Sequence, residues 1–190
     1  MRVITGSARG RRLKELEGME TRPTTDRVKE GMFSALQFDI EGRRVLDLFA
    51  GTGQLGIECL SRGAESAVFV DRRKDAVALI RENLKATELS HKAKVVGGDS
   101  MEYLKGVREK FDLIFLDPPY AEELLEKAIA HIAGFDILAP HGIIAAEHPA
   151  DKTLPALAPP YRVQRTYRYG KIALTLYRRD ANEASEETNQ

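Results

Sequence analysis

Four consecutive residues, Asp117-Pro118-Pro119-Tyr120, combine a carboxylate, two rigid prolines and an aromatic ring directly after an apolar run. Five of the six residues before Asp117 are apolar (Phe111, Leu113, Ile114, Phe115 and Leu116), the pattern of a buried parallel strand. Pro118 must end that strand, because proline offers no N–H to the ladder. The acid is thereby delivered to the carboxyl edge of a sheet, where open α/β proteins bind their ligands. Pro118 and Pro119 fix φ and aim the Asp117 carboxylate, a backbone carbonyl and the Tyr120 ring into one small volume. Such a volume suits a planar group carrying an exocyclic amine, with two acceptors for its two N–H bonds and a ring to stack on it.

A second stretch supplies a partner for that volume. Arg44 to Asp47 reads as a strand, followed by the loop Phe49-Ala50-Gly51-Thr52-Gly53 and a helix through Ile57 and Leu60. Gly51, Gly53 and Gly56 satisfy the G-x-G-x-x-G spacing that lets an adenosine cofactor approach backbone closely. Ala67 to Asp71 is a further apolar strand ending on an acid, Asp71, followed by Arg72 and placed where a carboxylate takes ribose hydroxyls. Lys94 to Ser100 is a third short strand that runs out through Gly98 into Asp99, with Ser100 expected to cap the next helix. Asp47, Asp71, Asp99 and Asp117 thus stand along one sheet edge. Among the donors that need such a pocket, S-adenosylmethionine fits, with Asp71 on its ribose, Asp99 on its adenine amine and the Gly51 to Gly53 backbone near its methionine end.

The elements that must position these residues alternate strand and helix, the rhythm of a doubly wound parallel sheet. Pro23 suits the start of a helix that Thr24 or Thr25 can cap, and its polar opening with Arg22 is placed to cover a ligand. Helices are expected through Val77, Ile80 and Leu84, at Met101 and Leu104, and from Leu124 to Ile132. Gly142 to Glu147 supplies a fifth strand, with His148 in the loop beyond it. Tyr161 to Arg168 and Lys171 to Tyr177 flank a turn and predict an antiparallel hairpin at the sheet edge. Val3 and Ile4, with the breaks at Gly6 and Gly10, predict a small N-terminal β arm over residues 1–20.

Lys plus Arg and Asp plus Glu are both 29, so net charge points to no partner, but the distribution does. Residues 1–14 carry Arg2, Arg9, Arg11, Arg12 and Lys14 without an acid. Residues 162–179 carry Arg165, Arg168 and Lys171 among their six cations, again without an acid. Two basic segments suit contact with nucleic-acid phosphates. Residues 180–190 are acidic, polar and without apolar period, as expected of a disordered tail after a single domain over 1–179. Cys59 is the one cysteine, which excludes an internal disulfide and a cysteine zinc cluster. No metal site is expected. The chain carries no apolar leader and no membrane-length apolar run, and a cytoplasmic monomer is expected.

Asp-Pro-Pro-Tyr with the Asp47 to Gly56 loop resembles the class I methyltransferases that act on exocyclic base amines. With the opening Met1-Arg2-Val3-Ile4-Thr5-Gly6-Ser7, the stretch Arg22-Pro23-Thr24-Thr25-Asp26-Arg27-Val28-Lys29-Glu30, and Leu55-Gly56-Ile57-Glu58, the chain is similar to the bacterial 16S rRNA guanine-N2 methyltransferase family of the RsmD type. The resemblance covers the chain up to the acidic tail. It implies a seven-stranded Rossmann-like sheet, S-adenosylmethionine as cofactor, and a guanine 2-amino target in small-subunit rRNA. Because a domain this small has few ways to read sequence, a partly assembled particle whose proteins shape the RNA is expected as substrate, with naked RNA as the alternative. Arg9, Arg11, Arg12, Arg22, Arg165, Arg168 and Lys171 would then meet RNA. Adenine N6 in DNA or RNA is the alternative target, since the same tetrapeptide serves both amines. A nicotinamide-dependent oxidoreductase fits the glycine loop but leaves Asp-Pro-Pro-Tyr without a use, and an RNA-binding module without catalysis stays open.

Overall fold

The computed structural model describes residues 1–18, 23–119 and 123–181, and for residues 23–25 the backbone only. Arg22, Tyr120 and most of the acidic tail therefore lie outside the described residues. Seven strands form one sheet in the order β3-β2-β1-β4-β5-β7-β6, where β1 is Arg44–Asp47, β2 Ser66–Asp71, β3 Ala93–Gly97, β4 Phe111–Leu116, β5 Leu138–Pro149, β6 Tyr161–Tyr169 and β7 Ile172–Arg179. The first five are parallel to one another, and β7 runs antiparallel to both β5 and β6. This is the mostly parallel doubly wound sheet with a C-terminal hairpin that the sequence predicts.

Side-chain alternation along the strands sorts the core into two layers. Val45, Phe69, Leu113, Phe115 and Ala145 face α1 (Pro23–Ala35), α2 (Gln54–Ser61) and α3 (Lys74–Ala86), packing on Phe33, Ile57 and Ile80. Leu46, Val70, Ile114, Leu116 and Ile144 face the other way, onto Leu104 of α4 (Ser100–Gly106) and Ile129 and Ile132 of α5 (Leu124–Gly134). Both sheet faces being covered explains why the central strands read as nearly continuous apolar runs.

The N-terminal arm is a small hairpin closed by an antiparallel bridge between Arg2 and Arg12. A buried charge fixes it to the sheet layer: the Glu58 carboxylate of α2 accepts the backbone N–H groups of Ile4 (2.8 Å) and Thr5 (2.9 Å) and pairs with Arg62 and Lys29. Burial holds the Lys29 ammonium below its ordinary pKa, with Glu58 opposing the shift. Cys59 is buried beside this network, and burial pushes its thiol well above the usual range.

Several local expectations change. α1 begins at Pro23, so Thr24 and Thr25 lie in its first turn and not at the cap. The α4 cap is Asp99, whose carboxylate accepts the Met101 and Glu102 N–H groups at 2.9 and 3.0 Å. Ser100 instead donates its hydroxyl to the Leu48 carbonyl at 2.8 Å, tying α4 to the end of β1. His148 is not a loop residue. It sits inside β5, buried, with Nε2 2.8 Å from the Thr175 hydroxyl, because β7 pairs with β5 as far as Pro149 and lengthens it. Burial lowers its pKa.

Candidate active site

A cavity of about 630 Å³ opens along the carboxyl edge of the sheet, a size that holds a drug-sized ligand. Its wall is made by strand ends. Phe49 and Gly51 come from the loop after β1, Asp71 and Arg72 from the end of β2, Asp99, Ser100 and Met101 from the β3–α4 junction, and Asp117, Pro118 and Pro119 from the end of β4. Leu16 and Gly18 of the N-terminal arm and Ile172 beside the hairpin turn complete the rim. The two stretches singled out in the sequence therefore line one continuous space. The arm and hairpin that carry the exposed arginines flank its mouth.

The glycine loop is built by three different requirements. Gly51 and Gly53 take φ of 57° and 79°, left-handed values that favour glycine. The Gly51 N–H donates to the Asp71 carboxylate at 2.9 Å, whose other oxygen accepts the Arg73 N–H, also at 2.9 Å, so Asp71 fixes the loop against its own strand end. Gly56 faces the core and not the cavity: a Cβ there would stand 2.4 Å from the Phe69 ring. Gly53 likewise packs against Ile80, and Ala50, Thr52 and Gly98 stand beside lining residues without lining the cavity themselves. Only Gly51 of the three glycines meets the ligand space.

Asp47, at the end of β1, is buried beneath the loop and accepts the Gly56 N–H at 3.1 Å. Desolvation pushes its carboxyl up to about 7, the Gly56 hydrogen bond opposing and the nearby Asp71 charge adding. Asp117 is raised well above the carboxylate range, first by desolvation and then by the charges of Glu147 and Asp47. The sheet order β2-β1-β4-β5 thus carries Asp71, Asp47, Asp117 and Glu147 in a row across four adjacent strands. Glu147 lines the cavity from β5 and is 8% exposed, and it is the residue that sequence reasoning passed over. The signal was present, since the fifth strand runs onto an acid as the other four do. No group of His, Cys, Asp and Glu is placed to hold a metal ion among the described residues.

The basic residues divide. Arg9 and Arg12 are exposed and have no acidic partner among the described residues. Arg11 is turned back onto α3, donating to the Ala86 carbonyl and pairing with Glu88, both at 2.9 Å. Arg165 lies over the Tyr167 ring at 5.0 Å, Arg168 donates to the Ala150 carbonyl, and Lys171 is exposed at the hairpin turn.

Comparison with known proteins decides the family. The model described as "Conserved hypothetical protein 95" matches residues 1–178. Ribosomal RNA small subunit methyltransferase D of Escherichia coli is 34% identical over 186 residues, 98% of this chain and 93% of that protein. The chain belongs to the RsmD family. A Bacillus subtilis relative, "Putative rRNA methyltransferase YlbH", is 42% identical over 94% of this chain and 99% of its own length. The solved structure described as "Putative methyltransferase yhhF from Escherichia coli" superposes with a TM-score of 0.84 at 35% identity, covering 96% of this chain and 99% of that one. The RsmD-type sheet described above is accordingly the class I methyltransferase fold.

Proposed function

We propose that this RsmD-family chain transfers a methyl group from S-adenosylmethionine to the exocyclic N2 of a guanine in small-subunit rRNA. The observation that carries the reading is the single cavity holding both the glycine-loop strand ends and the Asp117-Pro118-Pro119 turn. Its residues suit the cofactor. Asp71 offers acceptors to ribose hydroxyls, and the Asp99 oxygen that does not cap α4 can take an adenine amine. Gly51 keeps backbone open to the methionine end, and a cation bound there favours the ionised form of Asp47 beneath the loop, which burial alone disfavours. When bound, the cofactor supplies an electrophilic methyl on a positively charged sulfur.

The chain's own residues act on the nucleophile. A guanine 2-amino lone pair is delocalised into the ring and attacks poorly. Acceptors at the Asp117 carboxylate and the Pro118 carbonyl take the two N–H bonds, favouring a pyramidal nitrogen whose lone pair faces the methyl. Proximity and orientation of this kind lower a barrier by roughly 7 kcal/mol or more, and fixed acceptors stabilise the positive charge that grows on nitrogen. N2 forms its bond to the methyl carbon as the carbon–sulfur bond breaks, and the surplus N2 proton then leaves to Asp117 or water. Thr24, Thr25 and Tyr120 belong to this reading as a cover and a stacking ring from outside the described side chains. The base must be unpaired or flipped to enter.

Separating the two ends of the cavity tests the assignment. Asp71→Ala is expected to weaken S-adenosylmethionine binding by calorimetry at least 10-fold. Asp117→Ala should bind the cofactor within about 3-fold of wild type while losing at least 10³-fold in transfer rate, the scale of removing one preorganised group. Asp117→Ala with near-normal transfer would sink the reading.

A further inference from the structure

We infer that Glu147 selects guanine, its carboxylate accepting the N1–H of the target base while Asp117 and the Pro118 carbonyl hold the neighbouring 2-amino group. This rests on guanine N2 being the target. Glu147 is placed for it by the sheet. β4 and β5 run parallel with Leu116 opposite Ala146, so Asp117 and Glu147 are the next residues along two adjacent strands, which lie about 5 Å apart. Both line the same cavity, and after desolvation the Glu147 charge acts on Asp117 more strongly than that of Asp47. Leu124, Pro119 and Ile172 provide apolar wall beside them.

The chemistry of the base edge makes the assignment specific. Guanine presents adjacent donors there, N1–H and the N2 amine, and no other base offers this pair beside an amine on C2. A row of acceptors matches it. Adenine presents an N1 lone pair next to its N6 amine, and a carboxylate facing that lone pair is repelled and loses its partner. A site built to bind a donor rejects strongly an analogue that sets a lone pair against the same acceptor. Asp117 by itself cannot make this distinction, since both bases offer it an amine.

2-Aminopurine isolates the contact: it keeps the 2-amino group and carries a lone pair at N1. Small-subunit particles would be reconstituted with 16S rRNA ligated to hold either guanosine or 2-aminopurine at the mapped target, and kcat/KM measured for each. Wild type is expected to prefer guanosine by about 100-fold. Glu147→Gln, whose amide can turn to donate to an N1 lone pair, should narrow that ratio to within about 5-fold while binding the cofactor as wild type does. Glu147→Asp retains an acceptor and should keep the guanosine preference at a reduced rate, which also guards against a glutamine variant that fails to fold. Equal discrimination in wild type and Glu147→Gln, or none in wild type, overturns the role of Glu147 and leaves methylation of guanine N2 standing. Label recovered from wild type as N6-methyladenosine overturns both.

Discussion

Asp47 is a carboxylate buried under a loop whose stability depends on whether it is charged. Its pKa is raised from 3.8 to about 7 by desolvation. Between those values the folded state binds more protons than the unfolded state, so the Asp47 contribution to stability falls as pH rises through this window and is level above it. The span corresponds to a penalty on the order of 4 kcal/mol for the charged form. Asp47→Asn keeps an acceptor for the Gly56 N–H and carries no charge. It should match wild type near pH 4 and exceed it in denaturant stability by several kcal/mol at pH 8, and a constant difference across the range would contradict this. Ligand binding should show the opposite trend. A cationic cofactor favours the ionised acids, so wild-type affinity should rise through pH 7, and this dependence should be shallower in Asp47→Asn.

At the scale of elements, the strand–loop–helix unit from Arg44 to Ser61 was legible because each glycine answers to a local demand. What the spacing could not show is that the demands differ. Gly51 opens backbone to the cavity, whereas Gly56 lets α2 close on Phe69, which is fully buried and cannot yield. Gly56→Ala should therefore cost about 1–3 kcal/mol in chemical denaturation through overpacking, with cofactor affinity lowered only as the loop shifts. Wild-type stability would show that the helix can move away from the strand. Other local misreadings have a shared cause. Ser100 and Asp99 are both good caps, and only the Leu48 carbonyl, 52 residues distant in the chain, draws the serine away. His148 belongs to β5 because β7 pairs beyond Glu147, and strand pairing between distant segments leaves no mark on the local pattern. Glu147 differs, because the fifth strand visibly runs onto an acid as the other four do, and only the register that sets it beside Asp117 is absent from the local pattern.

Across the whole molecule, equal numbers of acids and bases conceal a separation. Carboxylates gather at the cavity along four strand ends, with Arg72 and Arg73 beside them on its wall, and further cations are carried by the arm and hairpin. Counting arginines in the sequence could not tell those that face solvent from those the fold uses. Arg11 is engaged by Glu88 and the Ala86 carbonyl, and Arg178 reaches Asp39, Gln164 and the His141 carbonyl. Arg9→Ala and Arg12→Ala should each weaken RNA binding evenly across sequences and reduce the slope of log affinity against log salt by about one. Arg11→Ala should change that slope by much less. If Arg11 alone moves it, the arm swings away from α3 when RNA binds.

The most direct measurement is transfer of labelled methyl from S-adenosylmethionine to small-subunit particles lacking the modification, followed by nucleoside analysis. Label is expected in N2-methylguanosine with wild type and absent with Asp117→Ala. Label in N6-methyladenosine, or no label from a protein that binds the cofactor and the particle, would contradict transfer to guanine N2.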